Sequence, residues 1–178
     1  MVIGALPVGG GILALSPVPG AGGDYRGDLE HIAGWRPAIV ISLTTVAELA
    51  AVDAVGLGQD VQDRGARYVH LPIADFGVPD ALTRAAWPDV GARARRALGG
   101  GGRVLIHCRG GCGRSGMIAL RLMIEAGEAP DEALARLRAV RPCAIETAAQ
   151  LDWAMAARRM PARFLRRPQA TVRTPPRR

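Results

Sequence analysis

The segment Val104–Gly116, with the sequence V-L-I-H-C-R-G-G-C-G-R-S-G, constrains the fold more than any other part of this chain. Its first residues are apolar and β-branched, which is typical of a buried strand. A glycine-rich turn follows, and a helical pattern begins near Arg114. Such a turn can direct its backbone N–H groups inward, and the helix N-terminus adds its positive end. The segment therefore predicts a cradle for a tetrahedral oxyanion.

Strands and helices alternate along the rest of the chain. Short apolar runs interrupted at Gly9–Gly11 predict an N-terminal hairpin, and β-branched runs predict strands over Ala38–Leu43, Arg67–Leu71 and Arg103–His107. Helical patterns cover Leu82–Leu98 (where we expect Pro88 to disturb the helix), Arg114–Ala126, Asp131–Val140 and Ile145–Arg159. This alternation predicts an α/β fold with a mostly parallel central sheet flanked by helices.

Length and composition limit the class of protein. The 178 residues suffice for one domain, and 49% hydrophobic with 22% charged residues excludes a disordered chain. No apolar run approaches the ~20 residues of a membrane span, so we expect no integral membrane segment. Three cysteines, an odd number, do not form a disulfide framework. We therefore expect a cytoplasmic protein.

The net charge of +7 is unevenly distributed. All 16 acidic residues lie at or before Asp152, whereas eight of the 23 arginines lie from Arg158 to Arg178. We predict a domain over residues 1–160 and a basic, disordered tail over residues 161–178. Because the body is nearly neutral, the charge does not indicate nucleic-acid binding.

Several residues of the glycine-rich segment carry chemistry. Cys108 opens the cradle and Arg114 closes it, with five residues between them. The N–H groups that bind an oxyanion would also stabilise a Cys108 thiolate, and the planar guanidinium of Arg114 can hold two phosphate oxygens. We expect Ser115 to hydrogen-bond the sulfur and His107 to order the loop. The predicted phosphate-binding residues are Arg109, Gly110, Gly111, Cys112, Gly113 and Arg114.

The pattern His107-Cys108, five residues, Arg114-Ser115 resembles the signature loop of the Cys-dependent protein tyrosine and dual-specificity phosphatases. The resemblance extends over roughly Arg67 to Met155. It implies a protein tyrosine phosphatase-like fold, a phosphocysteine intermediate, no metal or other cofactor, and a mobile loop that carries an acid. The string L-P-I-A-D-F-G-V-P-D, from Leu71 to Asp80, is closer to the small dual-specificity enzymes directed at cyclin-dependent kinases.

An acid is expected upstream of the cradle, on a loop. Asp75-Phe76-Gly77-Val78-Pro79 is similar to the W-P-D-x-G-x-P acid loop of tyrosine phosphatases, with Asp75 at the acid position. Asp75 would protonate the leaving oxygen and later deprotonate the attacking water. Ile73 and Ala74 replace the family's Trp and Pro, so closure of the loop can differ. Asp80 is the alternative acid, and its other interpretation is a helix N-cap.

A third match lies at Arg141–Trp153, which resembles the Q-T-x-x-Q loop that positions the hydrolytic water. Gln150 matches the second Gln, and Glu146 replaces the first. Glu146 would pair with an arginine such as Arg141, help to activate water, or simply favour a helix N-terminus. Thr147 is interpreted as structural.

The two remaining cysteines allow a redox role. Cys112 is either a small apolar filler, which we favour, or the partner of a reversible disulfide that protects Cys108 from over-oxidation. Cys143 is a second candidate partner.

The function predicted from these motifs is a phosphatase that hydrolyses phosphotyrosine, with phosphoserine and phosphothreonine left open, on a phosphorylated protein or peptide. Three alternatives remain: a phosphate-binding module without catalysis, a phosphoinositide phosphatase, and a rhodanese-like sulfurtransferase. Only Arg109 is basic between Cys108 and Arg114, which disfavours lipid substrates, and the acid loop at Asp75 disfavours a sulfurtransferase.

Overall fold

Five strands form one mixed sheet in the order β1-β2-β5-β3-β4. The structure, a computed structural model, describes residues 1–159. β1 is antiparallel to β2, and the other neighbouring strands are parallel. The mostly parallel α/β sheet predicted from the sequence is therefore confirmed. The strands are β1 (Gly4–Val8), β2 (Gly11–Pro17), β3 (Ile39–Ser42), β4 (Arg67–His70) and β5 (Arg103–Cys108).

Seven helices lie in the described part of the chain and cover both faces of the sheet. Val104 and Ile106 of β5 belong to one apolar cluster, whereas Leu105 between them belongs to the other. Because β5 is buried on both faces, its central residues Val104–Ile106 form a continuous apolar run. The helices are α1 (Tyr25–Trp35), α2 (Val46–Ala50), α3 (Leu57–Asp63), α4 (Ala81–Gly99), α5 (Gly113–Glu125), α6 (Pro130–Val140) and α7 (Ala148–Met155).

The strand order determines which loops meet around Cys108. β5 lies between β2 and β3, with Cys108 opposite Pro17 and His107 opposite both Ser16 and Ser42. The carboxyl ends of parallel strands meet at one edge, where open α/β sheets bind their ligands. The segments after β3, β4 and β5 therefore converge around Cys108.

Two helix predictions need correction. Pro88 does not break α4, which continues from Ala81 to Gly99. Burial of Trp87, Val90 and other apolar side chains of α4 outweighs the one backbone hydrogen bond that a proline cannot donate.

The last helix was predicted to begin at Ile145, but α7 begins only at Ala148. Ile145 has a positive φ of 68°, and the Thr147 hydroxyl caps the helix by accepting from the Gln150 N–H. The tail predicted over residues 161–178 lies outside the described residues. None of the helices within residues 1–159 combines the length and apolar character needed to cross a membrane.

A single carboxylate joins three helices behind the site. Glu125 of α5 accepts from the Trp87 indole at 2.9 Å and pairs with Arg95 and Arg121. Arg121 also donates to the backbone carbonyl of Trp153 in α7 at 2.8 Å, and its guanidinium lies over the indole ring of Trp153. This partly buried network helps to fix the position of α5, and hence of the cradle at its N-terminus.

Glu125→Gln should therefore destabilise the fold. The substitution leaves two guanidinium groups without a counter-charge, so the free energy of unfolding should fall by about 2–4 kcal/mol. Urea unfolding followed by circular dichroism measures the change. The control is Glu128→Gln, which affects only the Arg136 pair near the surface. Equal unfolding midpoints for the two variants would contradict the structural role of Glu125.

Candidate active site

Cys108 is the last residue of β5, and α5 begins only five residues later at Gly113. The thiol is 3% exposed and is the one free cysteine in the described part of the chain. Its sulfur lies 3.2 Å from the Ser115 hydroxyl, which is fully buried in the first turn of α5. The predicted contact between Ser115 and the sulfur is thus present in the structure, at the positive end of a helix.

The loop Arg109–Cys112, which we call the phosphate loop, crosses close to β2. Gly111 has a positive φ of 72°, and a Cβ there would lie 2.5 Å from the Ser16 carbonyl carbon. Glycine at this position therefore meets both a conformational and a steric requirement. The Arg109 carbonyl accepts from the Val18 N–H at 3.2 Å, which fixes the loop to the end of β2.

Arg114 is only 1% exposed and is held by acceptors from α2 and from the segment after β4. Its two Nη groups donate to the Glu48 carboxylate at 2.7 Å each, and Nη1 also donates to the Ile73 carbonyl at 2.9 Å. Its Nε–H is buried and has no partner among the described residues. Because a buried donor without a partner is costly, this N–H is available to an oxyanion in the cradle.

Glu48 is a functional residue that the sequence analysis missed. It lies on α2, directly after β3, where it forms a capping box with Thr45. The hydrogen bonds from Arg114 lower the pKa of Glu48 from 4.5 to about 2, against the opposing effect of burial. The signal that could have found it is Thr45-x-x-Glu48 at the carboxyl end of a predicted core strand.

His107 occupies the strand position just before the nucleophile and is fully buried. Burial, together with the charges of His70 and Arg114, lowers the pKa of His107 to about 3. Its ring is therefore neutral at physiological pH, and neither ring nitrogen has a hydrogen-bond partner among residues 1–159. His107 packs between β2 and β3, opposite Ser16 and Ser42.

The acid loop places Asp75, rather than Asp80, at the cradle. Asp75 Oδ1 lies 3.0 Å from Nη2 of Arg114, and its side chain is 39% exposed. Asp80 instead caps α4 by accepting from the Thr83 N–H at 2.8 Å. Phe76 follows with a positive φ of 57° and an exposed ring.

Residues of the segment Arg141–Trp153, which we call the third loop and which runs into α7, hold the acid loop (Asp75–Pro79) in place. Gln150 donates to the Gly77 carbonyl at 3.2 Å and accepts from the Glu146 N–H at 3.0 Å. Thr147 donates to the Phe76 carbonyl at 3.4 Å. The Glu146 carboxylate and the Gln150 amide fill the space that a Cβ at Gly113 would need, so both lie beside the first turn of α5.

The two other cysteines are bonded to each other. A disulfide joins Cys112 of the phosphate loop to Cys143, so the interpretation of Cys112 as an apolar filler is wrong. Cys108 remains a free thiol, so the disulfide considered between Cys108 and Cys112 is absent. Arg141 does not pair with Glu146, because its guanidinium donates to the Gly110 and Gly111 carbonyls.

A metal site is not evident in the described region. Within residues 1–159 no three His, Cys, Asp or Glu side chains come together as metal ligands would.

Comparison with known proteins agrees with this geometry. Residues 74–158 match the family model of the protein-tyrosine phosphatases. A kinase associated phosphatase, solved with its catalytic cysteine replaced by serine, is 25% identical, with a TM-score of 0.75 over 86% of this chain and 92% of that one. Tk-PTP in its active form is 29% identical, with a TM-score of 0.63 over 79% and 87%.

A third structure, PTPMT1 in complex with PI(5)P, is 17% identical and shares the fold, with a TM-score of 0.69 over 85% of this chain and 92% of that one. Among curated protein sequences, none matches this chain significantly. The family match and the shared α/β fold indicate a phosphatase.

Glu48→Gln tests the role of the buried ion pair. A neutral amide preserves the shape but removes the charge opposite Arg114, so stability at pH 7 should fall by about 1–3 kcal/mol. Because the pKa of Glu48 is lowered on folding, the wild-type pair stabilises above pH 4.5 and loses this contribution as the pH falls towards 2. Unfolding across this range should show a shallower acid decline for Glu48→Gln.

The matched control is Glu30→Gln, which removes an exposed carboxylate from Arg64. It should leave both stability and its pH dependence unchanged, because exposed ion pairs contribute little. If Glu48→Gln behaves like this control, the Arg114 pair does not stabilise the fold.

Proposed function

We propose that this protein is a Cys-dependent phosphatase that hydrolyses phosphate monoesters of tyrosine through a phosphocysteine intermediate on Cys108. The observation that carries the proposal is the buried cluster at the carboxyl end of β5. There a free thiol, a serine hydroxyl 3.2 Å from it and a guanidinium with an unpartnered Nε–H meet at a helix N-terminus. Such a cluster can bind a tetrahedral dianion and present it to a sulfur nucleophile.

The first chemical step transfers the phosphoryl group to sulfur. The Cys108 thiolate attacks phosphorus, the bond to the ester oxygen breaks, and Asp75 gives its proton to the leaving oxygen. Arg114 and the backbone N–H groups of the phosphate loop hold the three equatorial oxygens of the phosphoryl group, over which negative charge is spread in the transition state. The position of Asp75, 3.0 Å from Arg114 and partly exposed, supports this role.

The second step returns the enzyme to its starting state. Water attacks the phosphocysteine, Asp75 accepts its proton, and the sulfur leaves as a thiolate that Ser115 can stabilise by a hydrogen bond. Gln150 and Glu146 lie between the acid loop and the first turn of α5, where they can orient that water.

The substrate class is a phosphorylated protein or peptide. The exposed ring of Phe76 beside Asp75 offers an apolar surface for an aromatic phosphoester. A panel of phosphotyrosine peptide, phosphothreonine peptide, phosphoinositide and thiosulfate separates this proposal from dual specificity, lipid hydrolysis and sulfur transfer. Phosphotyrosine peptide should give the highest kcat/KM.

Cys108→Ser should abolish turnover of an aryl phosphate while preserving binding of inorganic phosphate or tungstate. A serine hydroxyl is a far weaker nucleophile, whereas the N–H groups and Arg114 still bind the anion. Activity should fall below about 1% of wild type, and calorimetry should show retained anion binding. Turnover well above that level would contradict the covalent mechanism.

Asp75→Asn should lower kcat by roughly 10²–10⁴ for a phosphopeptide, the usual contribution of general acid catalysis. The loss should shrink for an activated aryl phosphate, whose leaving group needs little protonation, and the alkaline limb of the pH–rate profile should disappear. Asp80→Asn is the matched control, because asparagine also caps helices well. If Asp80→Asn shows these effects and Asp75→Asn does not, the acid is wrongly assigned.

A further inference from the structure

The segment between α6 and α7 contacts the phosphate loop at several points along its outer side. We call this segment, Arg141–Ile145, the strap. Arg141 binds two carbonyls of the phosphate loop, Cys143 is covalently bonded to Cys112, and the Ile145 N–H faces the Cys112 carbonyl at 3.5 Å. None of these contacts is part of the chemical steps proposed above.

Arg141 donates hydrogen bonds to the carbonyl groups of the phosphate loop. Its Nε donates to the Gly111 carbonyl at 3.0 Å, and its Nη2 donates to the Gly110 carbonyl at 2.7 Å. When successive N–H groups of a loop converge on an anion, the carbonyls of those residues must find other partners. A charged, planar donor that binds two neighbouring carbonyls stabilises the orientation in which the N–H groups face the cradle.

The disulfide constrains the same loop from the same side. Cys112 is the residue immediately before α5, and Cys143 lies two residues after Arg141. Gly110 and Gly111 would otherwise give this part of the loop wide conformational freedom. The covalent bond removes much of that freedom, as cross-links do in flexible chains.

The strap itself is anchored independently of the disulfide. Ala144 and Ile145 are buried, and the strap passes so close to α5 that a Cβ at Gly116 would lie 2.8 Å from the Ile145 nitrogen. Breaking the disulfide would therefore remove the covalent link between the phosphate loop and a strap that stays in place, and leave only the hydrogen bonds between them. The rest of the fold would be little affected.

We propose that the strap positions the phosphate loop, with Arg141 as a positioning residue and the Cys112–Cys143 disulfide as a redox-dependent clasp whose oxidised state binds anions more tightly than the reduced state. The proposal rests on the proposed function in one respect only, that the loop binds a phosphate group. Oxidation of this pair should strengthen phosphate binding, whereas oxidation of Cys108 would abolish catalysis.

A peroxide can form the disulfide of the clasp, and a dithiol can reduce it. Hydrogen peroxide oxidises one thiolate to a sulfenic acid, and the second thiol then displaces water to form the S–S bond. In total two thiols and one peroxide give one disulfide and two waters. A dithiol reverses the reaction by thiol–disulfide exchange and is itself oxidised to a disulfide.

The clasp also determines what happens to an oxidised Cys108. While Cys112 is bonded to Cys143, it has no thiol with which to resolve a sulfenic acid on Cys108. Reductants should therefore act on this protein in two opposite ways, by restoring Cys108 and by opening the clasp. The test must separate the two effects.

Tungstate binding by the Cys108→Ser protein provides that separation, because position 108 then has no thiol to oxidise. We expect the dissociation constant to rise by about fivefold when the disulfide is reduced with a phosphine, with the redox state verified by mass spectrometry. Cys143→Ser in the same background should show the weaker binding under both conditions. Equal binding by the oxidised and reduced proteins would overturn the clasp.

Arg141→Ala in the Cys108→Ser background tests the positioning role. Binding should weaken about fivefold in the oxidised protein, and combination with Cys143→Ser should exceed the product of the two single effects, because each contact compensates for loss of the other. Arg136→Ala is the control, since Arg136 binds the Pro7 carbonyl and Glu128 away from the loop. If Arg141→Ala binds tungstate as tightly as this control, Arg141 does not position the phosphate loop.

Hydrogen exchange distinguishes failure of this proposal from failure of the proposed function. Reduction should speed exchange of amides over residues 109–113 by about fivefold without changing those of the β5 strand. If no form binds tungstate but this difference persists, the strap orders the loop and the phosphate-binding function is wrong. If exchange is unchanged by reduction and by Arg141→Ala, the strap proposal is wrong whatever the enzyme hydrolyses.

Discussion

A buried guanidinium sets the geometry of the whole site. Arg114 is 1% exposed, so its charge must be compensated within the protein, and the bidentate Glu48 carboxylate provides that compensation. Glu48 follows β3, while Ile73, whose carbonyl also accepts from Arg114, follows β4. One side chain at the start of α5 thus holds together the segments that follow three neighbouring parallel strands.

Two further sets of contacts hold the loops around Arg114. On one side, the third loop holds the acid loop through Gln150 and Thr147, which bind the backbone of Gly77 and Phe76. On the other side, Arg141 and Cys143 of the strap hold the phosphate loop. Because the segment from Arg141 to Gln150, which runs into α7, contacts both the acid loop and the phosphate loop, a change in that segment can disturb both loops together.

The sequence predicted what is local and missed what depends on distant contacts. The strand, glycine turn and helix around Cys108 lie within a few residues, so their pattern is sufficient to predict a cradle. Glu48 lies 66 residues from Arg114, and its capping box alone does not reveal which cation it meets. The same holds for the bond between Cys112 and Cys143, 31 residues apart.

Local rules also gave wrong helix boundaries where tertiary contacts compete with them. Pro88 is tolerated because α4 is anchored by buried side chains on either side of it. The last helix starts late because Ile145 adopts a left-handed conformation while its side chain is buried. Such a conformation in a β-branched residue is costly, and only packing of the strap against α5 explains it.

Two carboxylates face one guanidinium, and their different environments separate their roles. Glu48 makes two 2.7 Å hydrogen bonds to Arg114 and is 17% exposed, so its proton affinity is low and it stays ionised. Asp75 makes a single 3.0 Å contact and is more than twice as exposed. A phosphate dianion that enters the cradle brings further negative charge to Arg114, and the weaker of the two contacts must yield. In the mechanism proposed above, Asp75 is therefore the carboxylate that moves towards the substrate, while Glu48 keeps Arg114 in place.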